Sequence, residues 1–553
     1  MIGEPSKASL YLGTVSHLKP SQVGYRIWRK LGGKTRLKPG YVPRPDAAKA
    51  DVGRIPVLPE LDFDAAFLGR FDVSAIMLDR VSLLHHEEPI DWTRSWHDDL
   101  ATPLWRFNLH YCEYLLPLAK AFVDSGDVRY LEKGQQIIGS WIDSCPESKG
   151  GPAWDPYTIS MRVVNWLAFL GEANRRQGLA EGFVRKVNES LAEQYVALAN
   201  HLEKDLLANH LFENVKATVI LSEYFKDEPT SDIASRLLER QASEQILGDG
   251  FHYELSPMYH KVILEDLLRA LSYASGNDRY DMGFYRKVLQ KMLNVVFSLE
   301  GDGSRTPLFN DSGDNVSKSP SGLLACAEKR FGLVPEQSDR FPEGGMYVLR
   351  SNVEGRALKV VVKGGALPPK YAMGHMHNDC ASLEAFLDGV PVVVNCGTFA
   401  YQDPRRSWFR GNSAHNVASV RSTEQSQCWG RHRVARHCET AVQLFREDRI
   451  VLKTADYKGN EVVRTICLEG DSLTIRDECK DERAPLASYV HVRPPVRCPN
   501  PDDFVASQAD YAEDFGLLDK VTQLACFGTG KVAVRIRFGQ PVEVSRVPQR
   551  NRK

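Results

Sequence analysis

The sequence predicts an α-helical domain followed by an antiparallel β-sandwich, and three observations carry that expectation. From about Leu104 to Arg330 apolar residues recur at three- and four-residue intervals, as in Leu264, Leu267, Leu268 and Leu271, which is the period of an amphipathic helix. After Phe341-Pro342-Glu343-Gly344-Gly345 the period falls to two, in short β-branched runs bounded by turn residues. Helices precede strands without βαβ alternation, which argues against a Rossmann or barrel enzyme.

The elements follow in order. Residues 1–100 are rich in Pro, Gly and charge, with turn signals at Lys38-Pro39-Gly40 and Arg44-Pro45-Asp46, and read as an extended basic N-terminal arm and connecting segment. From Lys19 to Arg44 the arm carries Lys19, Arg26, Arg29, Lys30, Lys34, Arg36, Lys38 and Arg44 without one acidic residue. Such a run is either a solvated surface or a patch for an anionic polymer or bilayer. The helical domain is placed at 101–335, with helices expected over 109–123, 130–142, 160–175, 184–206, 210–225, 232–245, 260–274 and 284–299. The sandwich is placed at 340–553, with strands expected over 358–362, 382–387, 391–394, 450–454, 472–475, 488–492 and 531–538. Val532, Val534 and Ile536 alternate there with Ala533, Arg535 and Arg537, the pattern of a half-buried antiparallel strand.

Composition bounds the function. At 553 residues, 43% apolar and 25% charged, the chain reads as a soluble globular protein of two or three domains. A net charge of -1 does not point the whole molecule at nucleic acid. The 11 cysteines are scattered with no CxxC pair, which speaks against a zinc ribbon or thioredoxin-like motif and for reduced, buried thiols. No basic n-region precedes an apolar run at the N-terminus, and no stretch reaches the ~18 apolar residues of a membrane span. The expectation is a chain without a cleaved export signal or transmembrane segment, in the cytoplasm.

Chemistry concentrates in a few motifs. Gly374-His375-Met376-His377-Asn378-Asp379 precedes a strand-like run, and in an extended segment residues i and i+2 share a face, so both imidazoles are expected to enter one pocket. Ala208-Asn209-His210-Leu211-Phe212-Glu213-Asn214 places Asn209 and Glu213 on one helix face, with His210 within reach of Glu213. Amide, imidazole and acid together can bind and neutralise a carboxylate. In the Gly248 to His260 stretch, Gly-Asp-Gly and Ser-Pro form a loop, and Tyr259 follows where a helix begins; a phenol can donate or remove a proton there. Trp154, Tyr157, Arg162 and Asn165 are of the types that hold sugar rings and their acidic groups, and Arg410 closes the basic stretch that starts at Arg405. Packing aromatics and an exposed arginine would look the same. Of His375, His377, Asn395 and His415, three ligands drawn from neighbouring strands could close a zinc site, since imidazoles suit that metal.

The order NHLFEN, GDGFHYELSPMYH, PLFNDS, GHMHND, GVPVVVNCGTFAY and AHN, from roughly Leu104 to Val420, resembles the heparinase II/III family of polysaccharide lyases. The resemblance implies an incomplete α/α toroid followed by an antiparallel β-sandwich, with substrate between them. It implies β-elimination on a uronic acid-containing anionic polysaccharide, without an organic cofactor. Asn209 and His210 would neutralise the uronate carboxylate, Glu213 would orient His210, Tyr259 would be the catalytic acid or both acid and base, and His375 the second base. His377, Asn395 and His415 would hold a structural zinc or other divalent ion, although Asn395 stands where the family commonly has Asp, and a neutral amide is the poorer ligand. The basic arm looks more like family members associated with surface-polysaccharide assembly. Two alternatives accompany this reading: a uronate C5-epimerase, and a silent glycan-binding protein. A hydrolase needs two carboxylates across the cleft, and Glu254, Asp311 and Asp314 are not better placed than the histidines.

Overall fold

Side-chain caps start most of the long helices. Thr102, Asp127, Asp155, Asp227, Ser256, Asp281 and Ser319 each accept a hydrogen bond from a backbone N–H of the first turn that follows. The computed structural model describes residues 6–98, 101–314, 316–539 and 541–548. Helices occupy Val128–Ser144, Pro156–Arg176, Glu181–Asn200, Ala208–Tyr224, Glu228–Gln245, Pro257–Tyr273, Met282–Glu300 and Pro320–Phe331. Their buried faces meet in one core around Trp105, Trp141, Trp166, Phe169 and Phe212.

Three expectations need correction. The helix expected over 109–123 is two helices, Pro103–Tyr111 and Leu115–Ser125, broken where Cys112 turns left-handed at φ 60°. Pro117 explains the break, because it lacks an N–H and is tolerated only in a first turn. The helix expected to reach 206 ends at Asn200, and the following loop carries Glu203 and Asp205. The first 100 residues are not an extended arm. Lys7–Val15 and Pro20–Lys30 are helices, and Leu58, Leu61, Phe67, Ile76 and Val81 of the connecting segment are buried in the helical core.

The later strands form two packed sheets. One has nine strands: Val505–Tyr511, Asp519–Thr529, Pro485–Val492, Val390–Val393, Leu383–Leu387, Arg356–Lys363, Met346–Val353 and Arg340–Phe341 in spatial order, with Ala418–Val420 against Pro485–Val492. The other has seven, ordered Glu439–Arg446, Arg449–Ala455, Glu461–Glu469, Ser472–Cys479, Lys531–Arg537, Val542–Arg546 and Val496–Arg497. Pairing is antiparallel except at the last neighbour. Leu349, Val360 and Leu383 of the first sheet share a core with Ile450, Ile466, Ile475 and Val534 of the second. Several strands, such as Met346–Val353 and Glu461–Glu469, were not among those expected.

The helical part and the sandwich are joined by a dry interface. Phe251, Leu255, Leu299 and Phe309 pack on Met346, Val348, Val361 and Phe386 of the nine-stranded sheet. Each such side chain contributes about 1.5–3 kcal/mol on burial, so the two parts act as one body and the cleft between them keeps its shape. Arg464 plays the matching role inside the sandwich. Buried in the seven-stranded sheet, it pairs with Asp477 and donates to the carbonyls of Ala381 and Asn416 on the other sheet's side. Arg464→Ala would leave Asp477 buried and uncompensated, and should destabilise the protein by about 3–5 kcal/mol, read as a lower urea midpoint.

Candidate active site

The loop that leaves the last long toroid helix brings Asp311 to the seam between helices and sheet, where it is fully buried. Its Oδ2 accepts from His375 Nδ1 at 2.8 Å and Arg406 Nη2 at 2.7 Å. Its Oδ1 accepts from His377 Nε2 at 2.8 Å, from Thr398 Oγ1 at 3.1 Å and from Arg406 Nη1. Burial by itself pushes this carboxyl up, but Arg406 and the two imidazoles outweigh it and hold Asp311 well below the ordinary carboxylate range.

The 374–379 segment is a turn, not the extended run the sequence suggested. Asn310 accepts from His377 N, and Asp379 accepts from Asn310 N and Lys363 Nζ; these bonds hold the turn in place. The two imidazoles therefore do not line one strand face. They clasp one carboxylate from its two sides.

His375 gains a defined tautomer from this contact. A carboxylate only accepts, so Nδ1 carries the proton and Nε2 the lone pair. Nε2 lies 3.4 Å from Asn209 Nδ2 and 3.7 Å from Glu254 Oε1. Tyr259, placed in the first turn of Pro257–Tyr273 by the Ser256 cap, has its ring centroid 4.3 Å from that of His375, tilted by 41°. Its hydroxyl is 3.0 Å from that of Tyr401. Burial raises the Tyr259 phenol far above its ordinary range, so the group enters any reaction as O–H.

Asn209 and His210 stand at the start of Ala208–Tyr224, aimed by a strained entry in which Leu207 and Ala208 have φ of 64° and 52°. Asn209 Nδ2 also donates to Glu254 Oε2 at 2.8 Å. His210 Nδ1 is 2.9 Å from Glu203 Oε1, and its Nε2 faces away from that carboxylate. Burial works against the charged ring, but Glu203, with Asp155 and Glu254 behind it, lifts His210 to about 9. His210 is thus an imidazolium at neutral pH, a fixed positive charge beside the Asn209 amide.

Several expected roles change. Glu213 does not orient His210: one helical turn further on it faces the core and pairs with Lys216, which also binds Asp266. Glu203, from the preceding loop, has that position instead. Tyr157 does lie at the site, its ring 4.8 Å from His210. Arg162 does not, because it is fully buried over Trp141 at 3.9 Å and donates to Gln194. Asn165 donates to the Tyr111 carbonyl, Trp154 to that of Cys145, and the buried Arg410 to that of Met376. Each of the four thus has a hydrogen bond to a backbone carbonyl or a core side chain, while the Trp154 ring remains partly exposed. Glu203, Tyr401, Arg406 and His432 were not expected; Glu203, Tyr401 and His432 lie in irregular segments and Arg406 opens a single-turn helix, Arg406–Phe409, all too short for a period to mark which side chains face inward.

His377, Asn395 and His415 do come together. The His377 and His415 rings are 5.2 Å apart, and His415 Nδ1 is 3.0 Å from Asn395 Oδ1. His377 Nε2 donates to Asp311, so its Nδ1 carries the lone pair, whereas both nitrogens of His415 face oxygens, Nε2 the Phe409 carbonyl and Nδ1 the Asn395 amide. The buried His377 Nδ1 has no hydrogen-bond partner among the described residues, and Asn395 Oδ1 also accepts from Ser382 Oγ at 2.7 Å. Asp311, His375 and His432 also offer atoms within 4.8 Å of one another, but the Arg406 guanidinium already supplies the positive charge there.

The Glu203 contact is testable through its charge. A raised folded-state value means stabilisation that is full below about 6.5, the ordinary histidine value, and is lost as pH rises through about 9. Glu203→Gln should bring the His210 titration down from about 9 to below neutral, followed by NMR with the resonance assigned by its loss in His210→Ala.

Comparison with known proteins places this geometry. Residues 67–328 match the family described as Heparinase II/III N-terminus, and residues 334–544 match Heparinase II/III-like, C-terminal. A heparin-sulfate lyase of Bacteroides thetaiotaomicron is 22% identical over 400 residues, covering 64% of this chain and 57% of that protein. One of Pedobacter heparinus is 23% identical over 347 residues, covering 57% and 52%. The chain thus spans little more than half the length of these curated relatives. The crystal structure of heparinase III superposes with a TM-score of 0.67 at 15% identity, covering 96% of this chain and 93% of that one. The heparan sulfate lyase HepC of Pedobacter heparinus gives 0.52 at 14%, covering 96% and 88%. An α/α toroid carrying a β-sandwich, matched along nearly its whole length by the family's two parts, makes this chain a member of the heparinase II/III-like family.

Proposed function

We propose that the protein is a polysaccharide lyase that cleaves a uronic acid-containing anionic polysaccharide by β-elimination. One observation carries the reading: Asn209 Nδ2, the free Nε2 of His375 and the Tyr259 ring converge within 3.4 and 4.3 Å, with the His210 imidazolium alongside. A uronate C5 proton is hard to remove because the adjacent carboxylate repels the forming carbanion. His210 and the Asn209 amide would neutralise that carboxylate and stabilise the enolate-like transition state. His375 Nε2 takes the C5 proton, and ionised Asp311 on Nδ1 balances the charge the ring acquires. The C5–H electrons form the C4–C5 double bond, the C4–O bond breaks, and Tyr259 gives its proton to the leaving oxygen. A hydrolase is disfavoured because Asp311 is consumed by Arg406 and two histidines, which leaves Glu254 without a free second carboxylate.

The donor set of His377 Nδ1, His415 Nδ1 and Asn395 Oδ1 would hold one divalent ion. Its chemistry there is structural: a positive charge shared by three lone pairs that ties the 374–379 turn to the end of Val390–Val393 and to the 412–415 turn. Metal analysis of the purified chain should find about one divalent ion, with His415→Ala losing it and melting several degrees lower. A metal-free preparation whose melting is indifferent to chelator would overturn this.

The catalytic reading is tested with a panel of acidic polysaccharides, following the ultraviolet absorbance of unsaturated uronate. Tyr259→Phe and His375→Ala should each lower the rate by about 10²–10⁴-fold while leaving polymer binding in place. Solvent deuterium entering C5 without chain cleavage would instead make the protein an epimerase.

A further inference from the structure

The two N-terminal helices are amphipathic the wrong way round for a soluble protein. In Pro20–Lys30 the polar side faces the body: Gln22 donates to the Tyr371 carbonyl at 3.3 Å, and Arg29 pairs with Asp205 at 2.9 Å, with Arg26 behind it. Lys19, just before the helix, pairs with Glu244. The apolar side faces outward, with Gly24, Ile27, Trp28 and the C-cap Leu31 at positions i, i+3, i+4 and i+7. Lys7–Val15 repeats the arrangement. Thr14 bonds the Val434 carbonyl and the Trp429 indole, and Tyr11 meets Trp429, while Ala8, Leu12 and Val15 look outward.

This concentrates exposure. Among the described residues, Tyr11, Leu12, Val15, Ile27, Trp28 and Leu31 are all exposed large apolar side chains within one short span, with Leu12 at 72% and Leu31 at 77%. The other exposed large apolar residues are spread from Val42 to Phe527. No Asp or Glu occurs between Pro5 and Pro45, and Lys30, Lys34 and Lys38 on the same span are exposed and make no ion pair among the described residues.

We propose that the outward faces of these two helices dock on an anionic lipid bilayer, with Leu12, Val15, Ile27, Trp28 and Leu31 entering the headgroup boundary and Lys30, Lys34 and Lys38 meeting acidic headgroups. An interfacial helix needs both parts, apolar area to insert and basic residues for the surface potential. A polyanionic sugar explains the lysines but not Leu12, Val15, Ile27 and Leu31. A second copy explains the apolar face but would bring an equally basic patch against it. The helices rest on the 201–207 loop and on the 427–437 segment, which carries His432 near the cleft. Docking would therefore hold the cleft beside the membrane surface without burying it.

The test is flotation of the full chain with phosphatidylcholine vesicles containing about 30% phosphatidylglycerol, against phosphatidylcholine alone. Binding should require the anionic lipid and weaken on going from about 0.1 M to about 1 M salt. Each of Lys30→Glu, Lys34→Glu and Lys38→Glu should weaken it about fivefold or more. Ile27→Glu with Leu31→Glu should weaken it at least about tenfold, with melting temperature and turnover unchanged because neither side chain is packed. Absence of flotation overturns the proposal, as does full binding by the Ile27/Leu31 variant. So does a wild-type dimer in light scattering that the same variant dissociates without any vesicle binding, or a loss confined to polysaccharide affinity gels.

Discussion

Asp311 is the constraint on which the site depends. A buried carboxylate is tolerable only when its lone pairs are filled and its charge is balanced, and here a guanidinium, two imidazoles and a hydroxyl do both. Those donors come from the 374–379 turn, from Thr398 and from Arg406, each in a different stretch of the sandwich part, while Asp311 belongs to the loop between the helices Met282–Glu300 and Pro320–Phe331 of the helical part. One ion-pair network therefore aligns the sheet's loops against the helical part. It also sets which nitrogen of each histidine is free: Nε2 of His375 toward Asn209, and Nδ1 of His377 toward the His415 side.

Around that anchor the site separates its charges. His210 is held cationic by Glu203, Asp311 is held anionic by Arg406, and Tyr259 is held neutral by burial. The helical part thus contributes the cationic imidazole of His210 and the Tyr259 O–H, and the sandwich part contributes the Nε2 of His375. This arrangement works only in a cleft of fixed width, which is what the apolar contacts of Phe251, Phe309, Val348 and Phe386 supply. The N-terminal helices touch both parts and turn their apolar sides outward.

Much of this was legible in residue order. The 3.6 and 2 periods separated helices from strands, Ser256-Pro257 announced the helix that carries Tyr259, and Asp388-Gly389 announced the hairpin, where both residues adopt positive φ. Asn209 and Tyr259 do lie against His375, with His210 next to Asn209 in the chain, and His377, Asn395 and His415 do sit together. The failures share a cause. Spacing along a helix says which residues share a face but not whether that face meets core or cleft, so Glu213 and Arg162 were assigned to a ligand when both are buried against core partners. A loop or a single helical turn is too short to show a period, so Glu203 and Arg406 gave no signal.

The sequence by itself determined the fold class, the order of its parts and the chemical types available, because hydrophobic period and capping residues act over a few neighbours. Only the tertiary structure decided which acid serves which histidine, which arginine is scaffold and which tautomer each imidazole adopts. Those are contacts between segments up to 95 residues apart, as for Asp311 and Arg406, and a buried charge takes its state from whatever lies next to it in space.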